Sequence, residues 1–469
     1  MKHPFPKHLL PPAPAYTLPL SRSAFRKALI CGQGRAVLHV QQFGVEGVED
    51  LILEALQFPP AYDSQCDPRH DYLWRLIQCA KMEMPARLCI QFHIRHTKVN
   101  WARHQMFEIL ALMHQSGDSK ALPILAHGAL YDIGDSTQNG ISWWIEFDAE
   151  KAVPALMDFY GEELLEDAEA EIPWIINSWT ENEKKSKVME IAKRHISESR
   201  PARKYFETTD MEKRGVIDAS DDKASQPDAD ALIQMARASS NCYLFPRWIE
   251  ALDAAALNKI QTALERELDA SVRECLMQVF CAARAPSMDA IWLRWARSRA
   301  SLGFRTRGAL SHFDHPSIAR LGCRLLKSKD SVPSASPSSP CASEGVQLLG
   351  ERIPERARKL IRQRLQGLGV GRESRTLHCS QARHLYKTHN WSSALASKAD
   401  QKYSAALNES MLWVWQEAPC KECRQKAFEN LVATGALPPE ILAEAVYDAS
   451  ESTCEQAKKI LSIGTIEPH

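Results

Sequence analysis

Two cysteines one helical turn apart, in the run Cys420-Lys421-Glu422-Cys423, are the side chains of this sequence best spaced to do chemistry. A turn that presents both sulfurs on one side can serve as a reduced structural pair, as half of a zinc site, or as a dithiol that exchanges with a disulfide. A four-ligand zinc site needs a second pair of donors. His378-Cys379 could supply one but does not repeat the turn spacing, and no strand pattern surrounds Cys420 to frame a thioredoxin-like motif. The structural pair of thiols is therefore the favoured reading, and no metal or cofactor is expected.

Three imidazoles within twelve residues, His93, His96 and His104, form a second set with metal-binding chemistry. The His-Glu-x-x-His arrangement is absent, so the simpler reading is polar histidines on a helix surface. Asp132, Asp135 and Asp148 stand near Trp143 and Trp144, which would suit a carboxylate beside an aromatic clamp. A loop between helices with aromatic anchors is the simpler account. Neither a Gly-x-Ser-x-Gly elbow nor a phosphate-cradling glycine loop is present, and Gly32-Gln33-Gly34-Arg35 is read only as loosening a helix. No catalytic residue is assigned.

Charge is more telling in its distribution than in its total. Lys plus Arg and Asp plus Glu both number 58, which excludes a globally basic nucleic-acid binder and a disordered polyelectrolyte. Locally, ten acids face one lysine between Glu146 and Glu171, whereas Arg294, Arg297, Arg299, Arg305 and Arg307 follow one another without an acid. A second basic run spans Arg352 to Arg375. Arginines so grouped suit phosphate or an acidic protein surface, and Trp292 and Trp295 beside the first run suit stacking or interface anchoring. The competing reading of the second run is a solvated helix face, with Arg356, Lys359 and Arg364 outward and Ile353, Leu360, Ile361 and Leu365 inward. The twelve tryptophans are read first as wedges between helical layers, and as hot-spot anchors only where exposed.

The elements that would carry these groups are helices. The phrase Arg103-His104-Gln105-Met106-Phe107-Glu108-Ile109-Leu110 returns as Arg424-Gln425-Lys426-Ala427-Phe428-Glu429-Asn430-Leu431, and each copy leads into an apolar run ending in Tyr-Asp, at Tyr131-Asp132 and Tyr447-Asp448. A helix, turn, helix unit is being reused. Helical spacing predicts Ala24 to His39, Val45 to Phe58, Asp71 to Ala80, and Arg87 to Ile94 with Pro85 as an early-turn proline. Further on, Leu257, Ile260, Leu264 and Leu268 form one apolar face, and Val272, Cys275, Leu276 and Val279 another behind an Asp269 N-cap. Pro316 opens a helix with Ile318, Gly322 and Leu325 inward, and Cys454, Ala457 and Leu461 echo Arg424, Ala427 and Leu431.

The Asp-x-Ser-Val-Arg start at Asp269, the Pro-Ser-Ile-Ala-Arg start at Pro316 and the run Ala152-Val153-Pro154-Ala155-Leu156 resemble HEAT and HEAT-like repeats over most of 40 to 330 and 345 to 465. The Gly34-Arg35-Ala36 opening and the Pro419-Cys420-x-x-Cys423-Arg424 segment also resemble bacterial helical-repeat proteins that carry no assigned activity. The resemblance implies an all-α, right-handed α-solenoid of antiparallel helix pairs with a concave binding face and no particular chemistry. On that basis the chain divides into a proline-rich segment at 1–22, a helical array at 23–330, a Ser/Pro-rich linker at 331–343 and a second array at 344–465.

The expected function is that of a non-catalytic protein-interaction scaffold, with Trp292, Arg294, Trp295, Arg297, Arg305 and Arg307 contacting a protein partner whose surface the arginines would favour as acidic. The alternatives are a HEAT-like nucleic-acid-binding or DNA-glycosylase-like protein, a toxin-neutralising or defence-associated binder, and an enzyme of unassigned type. The 13 scattered cysteines read as reduced thiols, and no apolar stretch of about 18 residues is present. With prolines at 4, 6, 11, 12 and 14 also interrupting any signal sequence, a cytoplasmic protein without a membrane partner is expected.

Overall fold

The structure is a computed structural model of the 469-residue chain, and it describes residues 17–59, 68–97, 100–131, 139–167, 182–209, 228–238, 252–267, 272, 276, 316–327, 346, 349, 353–366, 388–396, 398 and 405–464. Among the described residues every regular element is a helix. The first ten are α1 (Arg22–Cys31), α2 (Arg35–Phe43), α3 (Glu49–Gln57), α4 (His70–Ala80), α5 (Glu83–His93), α6 (Asn100–Gln115), α7 (Ala121–Ala129), α8 (Asn139–Glu166), α9 (Asn182–His195) and α10 (Arg200–Thr209). They are followed by α11 (Ala229–Ala238), α12 (Ala254–Arg266), α13 (Pro316–Leu325) and α14 (Glu355–Gln366), and then by α15 (Asn408–Glu417), α16 (Lys421–Ala433), α17 (Pro439–Ala445) and α18 (Glu451–Gly464). None of them is long and apolar enough to cross a membrane.

Alternate helices stack. In one row α2 packs on α4, α4 on α6, α6 on α8 and α8 on α10, while α1, α3 and α5 form a second row beside it. Each helix turns one apolar face inward, as α4 does with Tyr72, Leu73, Leu76 and Ile77, so that a single core runs from Leu20 to Tyr205. The C-terminal helices build a core of their own around Trp391, Met411, Val414 and Leu431, with Trp415 and Phe428 in a small cluster beside it.

Several boundaries differ from those expected. The segment read as one helix from Ala24 to His39 is two, because Gly32 takes a left-handed conformation (φ 66°) that ends α1. Trp143 and Trp144 lie inside α8 rather than in a loop, and the chain kinks at Asp148, whose φ of −153° is not helical. Asp148 pairs with Lys151 there. Leu461 is exposed, so the echo of Leu431 in α18 preserves Cys454 and Ala457 in the core but not the third position. The start at Pro316 and the early-turn Pro85 are as expected. Ile260, Leu264, Val272 and Leu276 are buried, whereas Leu268, Asp269, Cys275, Val279 and the linker at 331–343 lie outside the described residues.

The repeated phrase is repeated in space. Arg103 at the start of α6 donates back six residues to the Thr97 carbonyl (2.7 Å) and across to the carbonyl of Tyr131, just beyond α7 (3.1 Å). Arg424 at the start of α16 likewise donates back six residues to the Ala418 carbonyl (3.1 Å) and across to Asp448, just beyond α17. In both units an arginine ties the entrance of the first helix to the exit of the second, and Phe107 and Phe428, at the same place in the phrase, are fully buried in their respective cores.

The second copy does one thing more. Arg424 and Asp448 are fully buried and joined through two hydrogen bonds (3.0 and 3.1 Å), and the same guanidinium reaches the carbonyl of Gly32 at the end of α1 (3.3 Å). That carbonyl also accepts from the backbone of Ala449 (2.9 Å). Around this point Arg35 forks onto the buried carboxylate of Glu444, Arg69 donates to the Pro419 carbonyl, and Lys27 pairs with Glu417. The Gln33 amide donates to the carbonyls of Trp415 and Gln416, two acceptors that the end of α15 leaves unused. The N-terminal helices α1 and α2 and the C-terminal helices α15, α16 and α17 are thus clasped together by a buried polar network. Gly34 sits so close that a Cβ there would lie 2.0 Å from the Glu444 carbonyl oxygen.

Truncating one member of the clasp should cost more than deleting the pair. Arg424→Ala leaves Asp448 buried and uncompensated and is expected to lower stability by about 3–5 kcal/mol, whereas Arg424→Met combined with Asp448→Leu should recover most of that loss. Urea unfolding of the three proteins measures it.

A second stability effect depends on pH. The backbone N–H of Leu20 donates to Nδ1 of His39 (2.9 Å), a ring packed edge-on against Phe25, and burial lowers the His39 pKa. A depressed folded pKa means that stability is fully present above the unfolded value of 6.5 and is lost as pH falls below it. The urea midpoint should therefore drop between neutral pH and pH values below 6.5, and His39→Asn, which cannot titrate, should drop less across the same window.

Candidate functional site

Two features outside the clasp have the character of sites. The first is the outer face of α5. Its inner face presents Ala86 and Ile90 to the core, both fully buried, which satisfies the ordinary requirement of an amphipathic helix. Its outer face should then be polar. Instead it carries Met84, Leu88 and Phe92, at 60%, 54% and 70% exposure. Spaced four residues apart, the three side chains keep to one side of the helix over about 12 Å.

At the end of α5 the stripe gains rings and charge. Phe92 meets His93 and His96 edge-on, with ring centroids 5.0 and 6.3 Å away, and Arg95 lies 5.1 Å over the exposed ring of Tyr131. His93 and His96 thus belong to this aromatic end. His104 faces elsewhere, towards His70, Trp101 and Glu108, so the three histidines do not converge. Covering three such side chains would contribute roughly 3–5 kcal/mol. Association itself costs about as much or more, so the stripe is the centre of a larger surface rather than all of it.

The second feature is the cysteine pair. Cys420 stands at the N-cap of α16 and Cys423 in its first turn, both buried, and the helical stretch 388–396 brings His389 to them. The two sulfurs and a ring nitrogen of His389 all lie within 4.8 Å of one another, with Cys423 Sγ 3.9 Å from His389 Nδ1. The hydrogen bond with Cys423, opposed by burial and aided by His389, holds the Cys420 thiol well below its usual range, and the same bond together with burial pushes Cys423 up. His389 was not singled out in the sequence. It stands 31 residues before Cys420 with no motif around it, while the expected partners His378 and Cys379 lie outside the described residues.

The residues expected to contact a partner, Trp292, Arg294, Trp295, Arg297, Arg305 and Arg307, also lie outside the described residues. On α14 the solvated-face reading of the second basic run holds for Arg356 and Lys359, which are exposed, but not for Arg364, which is half-buried; Arg352, Arg372 and Arg375 lie outside the described residues. Ile353, Ala357, Ile361 and Leu365 are buried, Arg362 forks onto Glu409, Arg364 donates to the Leu326 carbonyl and Arg358 pairs with Glu355. Of the tryptophans, Trp144, Trp391 and Trp415 are core wedges, and Trp143 is half-buried, stacked on Phe147 and donating to Glu108. Among the described residues Phe43, Phe58, Tyr131, Leu165 and Leu461 are less than half exposed and lie elsewhere, whereas the large apolar side chains exposed by half or more are Met84, Leu88 and Phe92, all on α5. A count of apolar residues between Met84 and Ile94 would have found them, since there are more than one face can bury.

Fold and sites together define an all-helical protein of stacked helices whose two ends are clasped. Compared with known proteins, the chain matches no family model, no curated protein and no solved structure.

Proposed function

We propose that this chain is a non-catalytic protein-interaction scaffold, a HEAT-like α-solenoid whose docking face includes the outer side of α5. The observation that carries the reading is the exposed stripe of Met84, Leu88 and Phe92 on a helix whose other face is already buried. Single exposed apolar residues are ordinary, but three in register on one helix, ending in an aromatic and cationic corner, have the composition of an interface centre. The stacking of alternate helices supports the solenoid part of the proposal, because helical repeats pack in the same way, each on its neighbours.

The partner is a protein segment with an apolar face, seated along α5. Trp292, Arg294, Trp295, Arg297, Arg305 and Arg307 form the second part of the proposal, as an electrostatic surface that favours acidic partners.

Photo-crosslinking tests this. A crosslinkable residue at Leu88 is expected to trap one discrete protein in the native host, whereas the same residue at the exposed Lys151 should not. Met84→Glu with Phe92→Glu should abolish the crosslink while changing stability by no more than about 0.5 kcal/mol per site. Arg294→Glu with Arg297→Glu should weaken it and reduce its sensitivity to salt. Equal labelling at both positions, or retention of DNA in place of protein, would end the reading.

A further inference from the structure

The cysteine pair, its histidine and the loop that bears them carry an inference independent of the docking face. We propose that Cys420, Cys423 and His389 bind a zinc ion through their two sulfurs and one ring nitrogen, with solvent in the fourth position, and that this ion fastens the 388–396 helix to the loop that clasps the N-terminal helices.

The donor set comes first. Two sulfurs and an imidazole are soft and borderline ligands, which suit zinc and exclude calcium and magnesium, whose sites are built from oxygen. An iron–sulfur cluster would take four protein ligands, and three converge among the described residues. Cys420 and Cys423 are free thiols, and a disulfide between them would leave the convergence of His389 without a purpose.

Distance agrees with this chemistry. Zinc–sulfur bonds of about 2.3 Å and zinc–nitrogen bonds of 2.0–2.1 Å, arranged tetrahedrally, place the donor atoms roughly 3.5–3.8 Å apart. The Cys423 Sγ to His389 Nδ1 distance of 3.9 Å is nearly that already. With every donor within 4.8 Å of the others, closure around an ion requires a contraction of about 1 Å at most, which rotation of the cysteine side chains supplies.

Burial and charge agree as well. Cys420 and Cys423 are 7% and 5% exposed, and deprotonating both sulfurs in so sealed a place requires a compensating charge. A divalent ion supplies it in full, and the result is a neutral centre at the positive end of α16. The guanidinium of Arg424 is committed to Asp448, to Ala418 and to Gly32, and that of Arg69 donates to the Pro419 carbonyl. His389 is only half-buried, which gives an ion its way in.

The surrounding bonds assign the ion a structural consequence. Residues 418–420 are a loop whose Ala418 carbonyl is held by Arg424 and whose Pro419 carbonyl is held by Arg69 of the N-terminal half. Zinc on Cys420 would add a third hold, to the helix at 388–396. Metal binding should therefore stabilise the folded chain by the ordinary linkage of a ligand that binds the native state.

The full-length chain, dialysed against zinc chloride and then against metal-free buffer, is expected to retain one zinc per molecule by elemental mass spectrometry. Cys420→Ser with Cys423→Ser should retain less than about a tenth of that, and His389→Ala should lose at least about tenfold in affinity against a competing chelator, since even outer-shell changes cost 10- to 100-fold. Both cysteines are buried, so the unmutated chain provides a separate readout. Loaded with cobalt(II), it should show thiolate-to-cobalt charge transfer and the intense visible bands of a four-coordinate site, and a chelator should lower its melting temperature. No retained zinc, a cobalt spectrum without sulfur charge transfer, or equal retention by the double-serine variant would overturn the assignment.

Discussion

The arrangement rests on one buried arginine. Arg424 has no exposed surface, and its guanidinium is used on three sides, by the carboxylate of Asp448, by the carbonyl of Ala418 and by the carbonyl of Gly32. Two of these partners are local and could be met by an isolated helix pair. The third lies 392 residues away and fixes where the last helices sit on the first. A buried guanidinium tolerates little misplacement, because each donor left without an acceptor costs about 1–3 kcal/mol or more. The pair therefore contributes less to net stability than to the choice of one register over its neighbours. Apolar packing of Tyr447 and Ala449 against the N-terminal core supplies the attraction that this register directs.

The helical character of the chain was legible in its sequence, and so was the unit being reused. The phrases at Arg103 and Arg424 identified two equivalent helix pairs because their constraints are local: an arginine must reach a carbonyl six residues back and the exit of the next helix. The further reach of Arg424 to Gly32 was not legible. It depends on how far the intervening layers turn the chain, which no local pattern records. The glycines at 32 and 34 show the same limit. They were read as loosening a helix, whereas one ends α1 with a positive φ and the other admits the Glu444 carbonyl, and only the tertiary neighbour reveals the second requirement.

Site residues divided along the same line. Cys420 and Cys423 were visible because their spacing is a local signal, and His389 was not, because convergence across two helices leaves no spacing to read. The tryptophans were read first as wedges between layers, and Trp144, Trp391 and Trp415 fill gaps in that way. The exposed apolar residues that fall in register on one helix are a methionine, a leucine and a phenylalanine. Their types are ordinary, and only the excess of apolar residues on a short helix marked them.

The clasp and the stripe are connected by packing. The inner face of α5, through Ala86 and Ile90, is buried, α5 packs on α3, and α3 packs on α1. Since α1 ends at Gly32, the row that determines which way Met84, Leu88 and Phe92 point begins at the carbonyl held by Arg424. Close-packed interiors transmit displacement rather than absorb it. A shift of α1 at the clasp would therefore move the outer face of α5 as well, so a polar network at one end of the row sets the orientation of an apolar surface at the other.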